Sequence, residues 1–122
     1  MDVFSAAVRL LNYTNTYGEL DGNQGTEMWK RSLAIVNQIY ADVSFIENRD
    51  AAFVPLRNIH ETLNISDRTA ADVMPYGVAM LFAQNESDGD NQTLFAMLYN
   101  QKRSAVPRAP MSIRDVLPVT EG

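Results

Sequence analysis

Trp29, Leu33, Val36, Tyr40 and Val43 recur at alternating steps of four and three. That spacing places all five on one face of an α-helix and is incompatible with the two-residue period of a strand. Thr26 stands where a side-chain oxygen can cap the first turn, and the polar run Glu47-Asn-Arg-Asp50 marks the end. Met28, Ile35 and Ile39 widen the stripe, so this helix is expected to pack on two sides and form the spine of the core.

Shorter helices are expected around it. Val3, Phe4, Ala7, Leu10, Leu11 and Thr14 follow 3- and 4-residue steps, which predicts a helix over residues 2 to about 15. Residues 17–25 hold three glycines with Asp and Asn between them and read as a loop. From 51 to 66 the pattern is irregular around Pro55, with a short helix expected near 57–63. A further helix is expected from about 70 or 75 to 85, since Pro75 is tolerated near a helix start, where its missing N–H has no partner to lose. The polar turn from Asn85 to Asn91 leads into a last helix beginning near Asp90, with Leu94, Phe95, Leu98 and Tyr99 on one face and Lys102 and Arg103 at its C-terminal end. The short turn implies an antiparallel helical hairpin over about 70–104. Pro107, Pro110 and Pro118 then exclude any long helix, so residues 105–122 read as an extended tail. The fold class expected is all-α: a bundle of four to five helices, with residues 1–104 as the helical domain.

The 122 residues suit one core, and 46% apolar against 20% charged residues is the balance of a folded chain. Without cysteine there is no disulfide or thiolate metal site, and with His60 as the single histidine no ordinary zinc site can form. Asp21-Gly-Asn23-Gln-Gly25 resembles the start of a calcium loop but has Gly25 and Thr26 at its fifth and sixth places, and Asp88-Gly-Asp90 fails likewise with Gln92 and Thr93 there, so both read as turns. His60 has no nucleophile near it in the sequence and reads as a surface or structural histidine. No phosphate-binding or nucleophile-elbow glycine motif occurs. The reading is therefore of a protein that is not an enzyme, with no catalytic, cofactor-binding or metal residues and no cofactor.

The net charge of -5 argues against specific nucleic-acid binding. Trp29, Tyr40, Phe82, Phe95 and Tyr99 sit at helical spacing among aliphatic residues and read as core rather than as a stacking platform for bases. The start of the sequence does not read as a secretory signal and no window is apolar enough to span a membrane, so a soluble cytosolic protein is expected. The four sequons at Asn12, Asn64, Asn85 and Asn91 are expected to serve turns and caps.

One combination of residues goes further. Val54-Pro-Leu56, Ile59 and Leu63 are followed by Met74-Pro-Tyr-Gly-Val-Ala79, Leu81, the acidic turn Glu86–Asp90, Phe95, Tyr99-Asn100 and Lys102-Arg103. This pattern, over roughly residues 28–104, resembles the head-tail connector or adaptor proteins of tailed phages and prophages. The resemblance implies a structural subunit that joins portal and tail proteins through a homo-oligomeric ring of like subunits, present in the bacterial cytoplasm during assembly and in the virion thereafter. It also implies that an acidic lumen lets DNA pass without adhering and that the C-terminal tail orders against a neighbour. The alternative reading is a generic helical interaction or regulatory subunit of a bacterial complex with no phage role; a small enzyme using His60 beside a carboxylate is the third.

Overall fold

The computed structural model describes residues 3–12, 27–48, 53–58 and 61–107. They form an all-α bundle of α1 (Val3–Leu11), α2 (Glu27–Glu47), α3 (Asp67–Asp72), α4 (Met74–Asn85) and α5 (Gly89–Ser104), with no strand among the described residues. The glycine-containing loop, His60 and the tail beyond Pro107 lie outside the described residues.

The spine is α4 rather than α2. It packs against each of the other four helices, and Met74, Gly77, Val78, Ala79, Phe82 and Ala83 are all buried. Its run of apolar side chains leaves no polar stripe for solvent, and a short helix apolar nearly all round is stable only when surrounded. Phe4 of α1 meets Phe82 edge-on at 5.6 Å. The stripe expected on α2 is present, with Trp29, Val36, Tyr40 and Val43 buried alongside Ile35, Ile39 and Ile46. Its two sides face α4 and the irregular segment 53–66.

Of the two starts expected for the helix ending at 85, the one near Pro75 is found, with a separate short α3 before it, because the ring of Pro75 cannot continue a helix running in from α3. Val73 closes α3 by donating to the Thr69 carbonyl at 3.1 Å, and α4 restarts with proline in its first turn. Two other element expectations need correction. The helix expected near 57–63 is absent from the described part of that segment. Its backbone is bonded by side chains instead: the Glu61 carboxylate accepts from the Arg57 and Asn58 amides. Finally, Leu10 and Leu94, assigned to core faces, are exposed, while Val8 is buried in α1.

The hairpin is antiparallel: Tyr76 and Gly77 near the start of α4 lie beside Lys102 and Tyr99 near the end of α5. Gly77 makes this approach possible, since a Cβ there would stand 2.7 Å from Tyr99 Cε1 and 2.9 Å from Ile39 Cγ2. The turn between the helices closes with the Asp88 amide donating to the Ala83 carbonyl at 2.8 Å and the Ser87 amide to the Gln84 carbonyl at 3.2 Å. This is the Schellman arrangement. Asp88 then caps α5 by accepting from the Asn91 amide at 3.3 Å. Past α5, Val106 returns to the core.

Candidate interaction surface

Among the described residues, polar side chains of α2 hold the non-helical stretches 53–58 and 61–66. Asn37 grips the backbone of Leu56 with both ends of its amide, Nδ2 donating to the carbonyl at 3.0 Å and Oδ1 accepting from the N–H at 2.7 Å. One turn on, the Tyr40 hydroxyl accepts from the Asn64 amide at 2.9 Å, and Asn48 Nδ2 donates to the Asn64 carbonyl at 2.8 Å. Phe53 folds its ring against Tyr40, 5.2 Å between centroids. Each of the hydrogen bonds supplies a partner that a helix or sheet would otherwise provide.

Glu47 joins the same segment to α3. Its carboxylate accepts from the Ser66 amide and hydroxyl, both at 2.8 Å, and from the Thr69 hydroxyl. Ser66 in turn caps α3 by accepting from the Thr69 amide at 3.2 Å. Burial works against ionisation of Glu47, but the hydrogen bonds from Thr69 and Ser66 outweigh it and hold the carboxyl below its ordinary range.

Asp42 joins α2 to α5. The Arg103 guanidinium donates to it twice, Nε to Oδ2 at 2.6 Å and Nη2 to Oδ1 at 2.8 Å, and the Tyr99 hydroxyl donates to Oδ2 at 2.6 Å. The Arg103 hydrogen bond pulls the Asp42 carboxyl below the usual range despite partial burial. Burial, reinforced by the Asp42 charge, pushes the Tyr99 phenol well above its ordinary value. A half-buried carboxylate with three hydrogen bonds from one neighbouring helix acts as a clamp between the two helices. Lys102 lies 4.5 Å above the Tyr76 ring, which itself packs beside Phe95 at 6.1 Å. The basic pair at the end of α5 is therefore engaged by named partners, beyond its favourable place in the helix dipole.

These residues build a scaffold, and the outward surface is what remains for contacts. Leu94 and Met97 sit one turn apart on α5 and are 43% and 53% exposed, while Val54 is 72% exposed. A groove between α2 and α4 is lined by Arg31, Ala34, Ile35, Gln38, Leu81, Gln84 and Asn85. A separate cleft of about 310 Å³ lies between α3 and the exit from α5, with Arg68 and Lys102 among its lining and Pro107 on its wall.

The five aromatic residues read as core are buried. The sequons do serve turns and ends: Asn12 leaves α1 with φ 60°, Asn64 has both backbone groups bonded, Asn85 ends α4, and Asn91 bonds Asp88. Asp88-Gly-Asp90 is a turn and cap, as expected; Asp21–Gly25 and His60 lie outside the described residues. The sequence reading passed over Asn37, Asp42 and the capping role of Ser66. For Ser66 the available signal was a serine just ahead of a helix start; Asn37 and Asp42 are ordinary polar positions of an amphipathic helix, and spacing carried no signal for them. Among the described residues no helix is long and apolar enough to cross a membrane. No family model matches the chain, and neither the curated proteins nor the solved structures searched contain a match.

Proposed function

We infer that the chain is a structural subunit of a tailed phage or prophage, a head-tail connector that joins portal and tail by assembling with like subunits, with no catalysis of its own. The carrying observation is that separate parts of the pattern behind the resemblance interlock. Gly77 of the Met74–Ala79 stretch admits the Tyr99 ring, Lys102 covers Tyr76, and Arg103 and Tyr99 together hold Asp42. Residues more than twenty positions apart thus form one joint between α2, α4 and α5, a rigid element of the kind a structural subunit needs. Exposed Leu94 and Met97 offer apolar contact area on the outer side of that joint. In a closed ring each subunit presents one face to a different face of the next. The net charge of -5 suits a lumen that DNA passes without adhering. On this reading the protein resides in the bacterial cytoplasm during assembly and then in the virion.

The test is sedimentation velocity and negative-stain electron microscopy of the purified chain, alone and mixed with a phage portal protein from the same genome. Rings or portal-bound particles are expected. A single-chain species at high concentration under both conditions defeats the reading.

A further inference from the structure

Along α5 the charged residues stop at Asp90 and resume at Lys102. Between them Leu94 and Met97 are largely exposed, and half-buried Leu98, exposed Gln101 and exposed Ala105 continue the same line at steps of three and four. The helix thus turns an uncharged, mostly apolar stripe outward, on a chain in which 20% of residues are charged.

The two ends of this stripe carry opposite charge. At its start stands the acidic turn, with Glu86 and Asp90 exposed and Asp88 capping the helix. At its end lies the cleft of about 310 Å³ between α3 and the exit from α5. Ala105 belongs both to the stripe and to the cleft wall, so the two surfaces are continuous. Arg68 and Lys102 are the cations of the cleft, and Asp72 is the single carboxylate on its lining. Asp72 meets Arg68 at 3.7 Å with both side chains exposed. Such a contact contributes little, and the guanidinium keeps further N–H donors for a second carboxylate.

We propose that α5 pairs with α5 of a second copy of the chain, antiparallel about a two-fold axis near Met97 and Leu98. The midpoint between Asp90 and Ala105 falls between those two residues. The helix is about 24 Å long, and the same length separates turn from cleft in both copies. A two-fold rotation therefore brings each acidic turn to the other copy's cleft while the apolar stripes cover each other. The opposed helix dipoles add to the match. A head-to-tail arrangement would join one turn to one cleft and leave the other two open, whereas the two-fold pair closes both. The proposal goes beyond the connector reading and does not depend on it, since it assigns the outer face of α5 to a closed pair of the free chain.

Sedimentation velocity over a concentration series tests it, with circular dichroism melts verifying that each variant folds. One helix face and a turn make a small contact, so the wild type should pass reversibly from one chain to two as concentration rises. Leu94→Glu, at an exposed position, should abolish pairing. Asp90→Lys and Arg68→Glu should each weaken it about tenfold, because each reverses a charge in both halves of the pair; the two changes together in one chain should restore it. The chain has no cysteine, so Met97→Cys introduces a single thiol close to the axis. Mild oxidation should link two such chains, and link far fewer of Gln84→Cys, exposed on α4. The pairing is overturned if the wild type stays one chain at every concentration, if Leu94→Glu pairs as well as the wild type, if the doubly changed chain pairs no better than the single variants, or if Met97→Cys links no faster than Gln84→Cys. Rings or portal-bound particles from a wild type that does not pair alone would overturn the pairing and leave the connector reading standing.

Discussion

Ser87 adopts a left-handed φ of 57° at the position after α4 where glycine is the usual occupant. The neighbouring glycine does not take that role: Gly89 lies in the first turn of α5 with open space around its Cα. Ser87 is exposed, so its replacement loses little packing. Ser87→Gly should stabilise the protein by about 0.5–1 kcal/mol, read as a higher urea midpoint at unchanged m-value. Gly77 is the opposite case. Alanine there gains about 1 kcal/mol of helix propensity, but its methyl group must displace the Tyr99 ring, which is held by Asp42 and cannot swing aside. Overpacking costs about 1–3 kcal/mol, so Gly77→Ala should be net destabilising, by up to about 2 kcal/mol in the same measurement.

At the scale of elements, α2 acts as a rack on which less regular backbone is hung. Asn37→Ala would leave both backbone groups of buried Leu56 without partners, a loss of about 1–3 kcal/mol. Amide hydrogen exchange should accelerate over residues 53–58 well before it does in α4. Equal protection of that segment in wild type and variant would show that Asn37 does not hold it. The hairpin is joined to α2 by the Asp42 clamp, so Asp42→Asn, which keeps the shape and removes the charge, should weaken α5 most and leave the α1–α4 contact intact.

For the molecule as a whole, these clamps contribute to the pH dependence of stability. Asp42 and Glu47 both have carboxyls depressed by folding. Their contribution is complete above the unfolded-state pKa values of about 4 and is lost as pH falls through the lower folded values. The melting temperature should therefore hold near neutrality and drop below about pH 4, with the acid limb shallower in Glu47→Gln. Tyr99 works at the other limit. Its folded pKa is raised, so its contribution is complete below about pH 10 and declines as pH rises beyond that. A Tyr99→Phe variant should lose that alkaline decline while also losing the hydrogen bond to Asp42. An acid limb unchanged by Glu47→Gln would show that Ser66 and Thr69 bond its neutral form equally well.

The helices α1, α2 and α5, the proline restart near residue 75 and the hairpin turn were legible because each depends on local spacing and on side chains that act within a turn or two. The 4-3 repeat from Trp29 to Val43 requires a helix wherever it is placed, and Pro75 breaks an incoming helix in any surroundings. The aromatic core was legible for the same reason. Which helix would become the centre was not, because the uniform apolarity of α4 has no period to read and acquires meaning only when four neighbours surround it. Nor could spacing show that Asn37 would find Leu56, that Asp42 would gather Tyr99 and Arg103, or that the left-handed turn residue would be Ser87 rather than Gly89. Those pairings join residues far apart in the chain, or decide between adjacent ones by how two helices close. Only the tertiary structure, in which a bond forms where two surfaces meet, settles them. The groove between α2 and α4 belongs to the same class: the residues that line it, from Arg31 to Asn85, become a surface only when the helices are laid side by side.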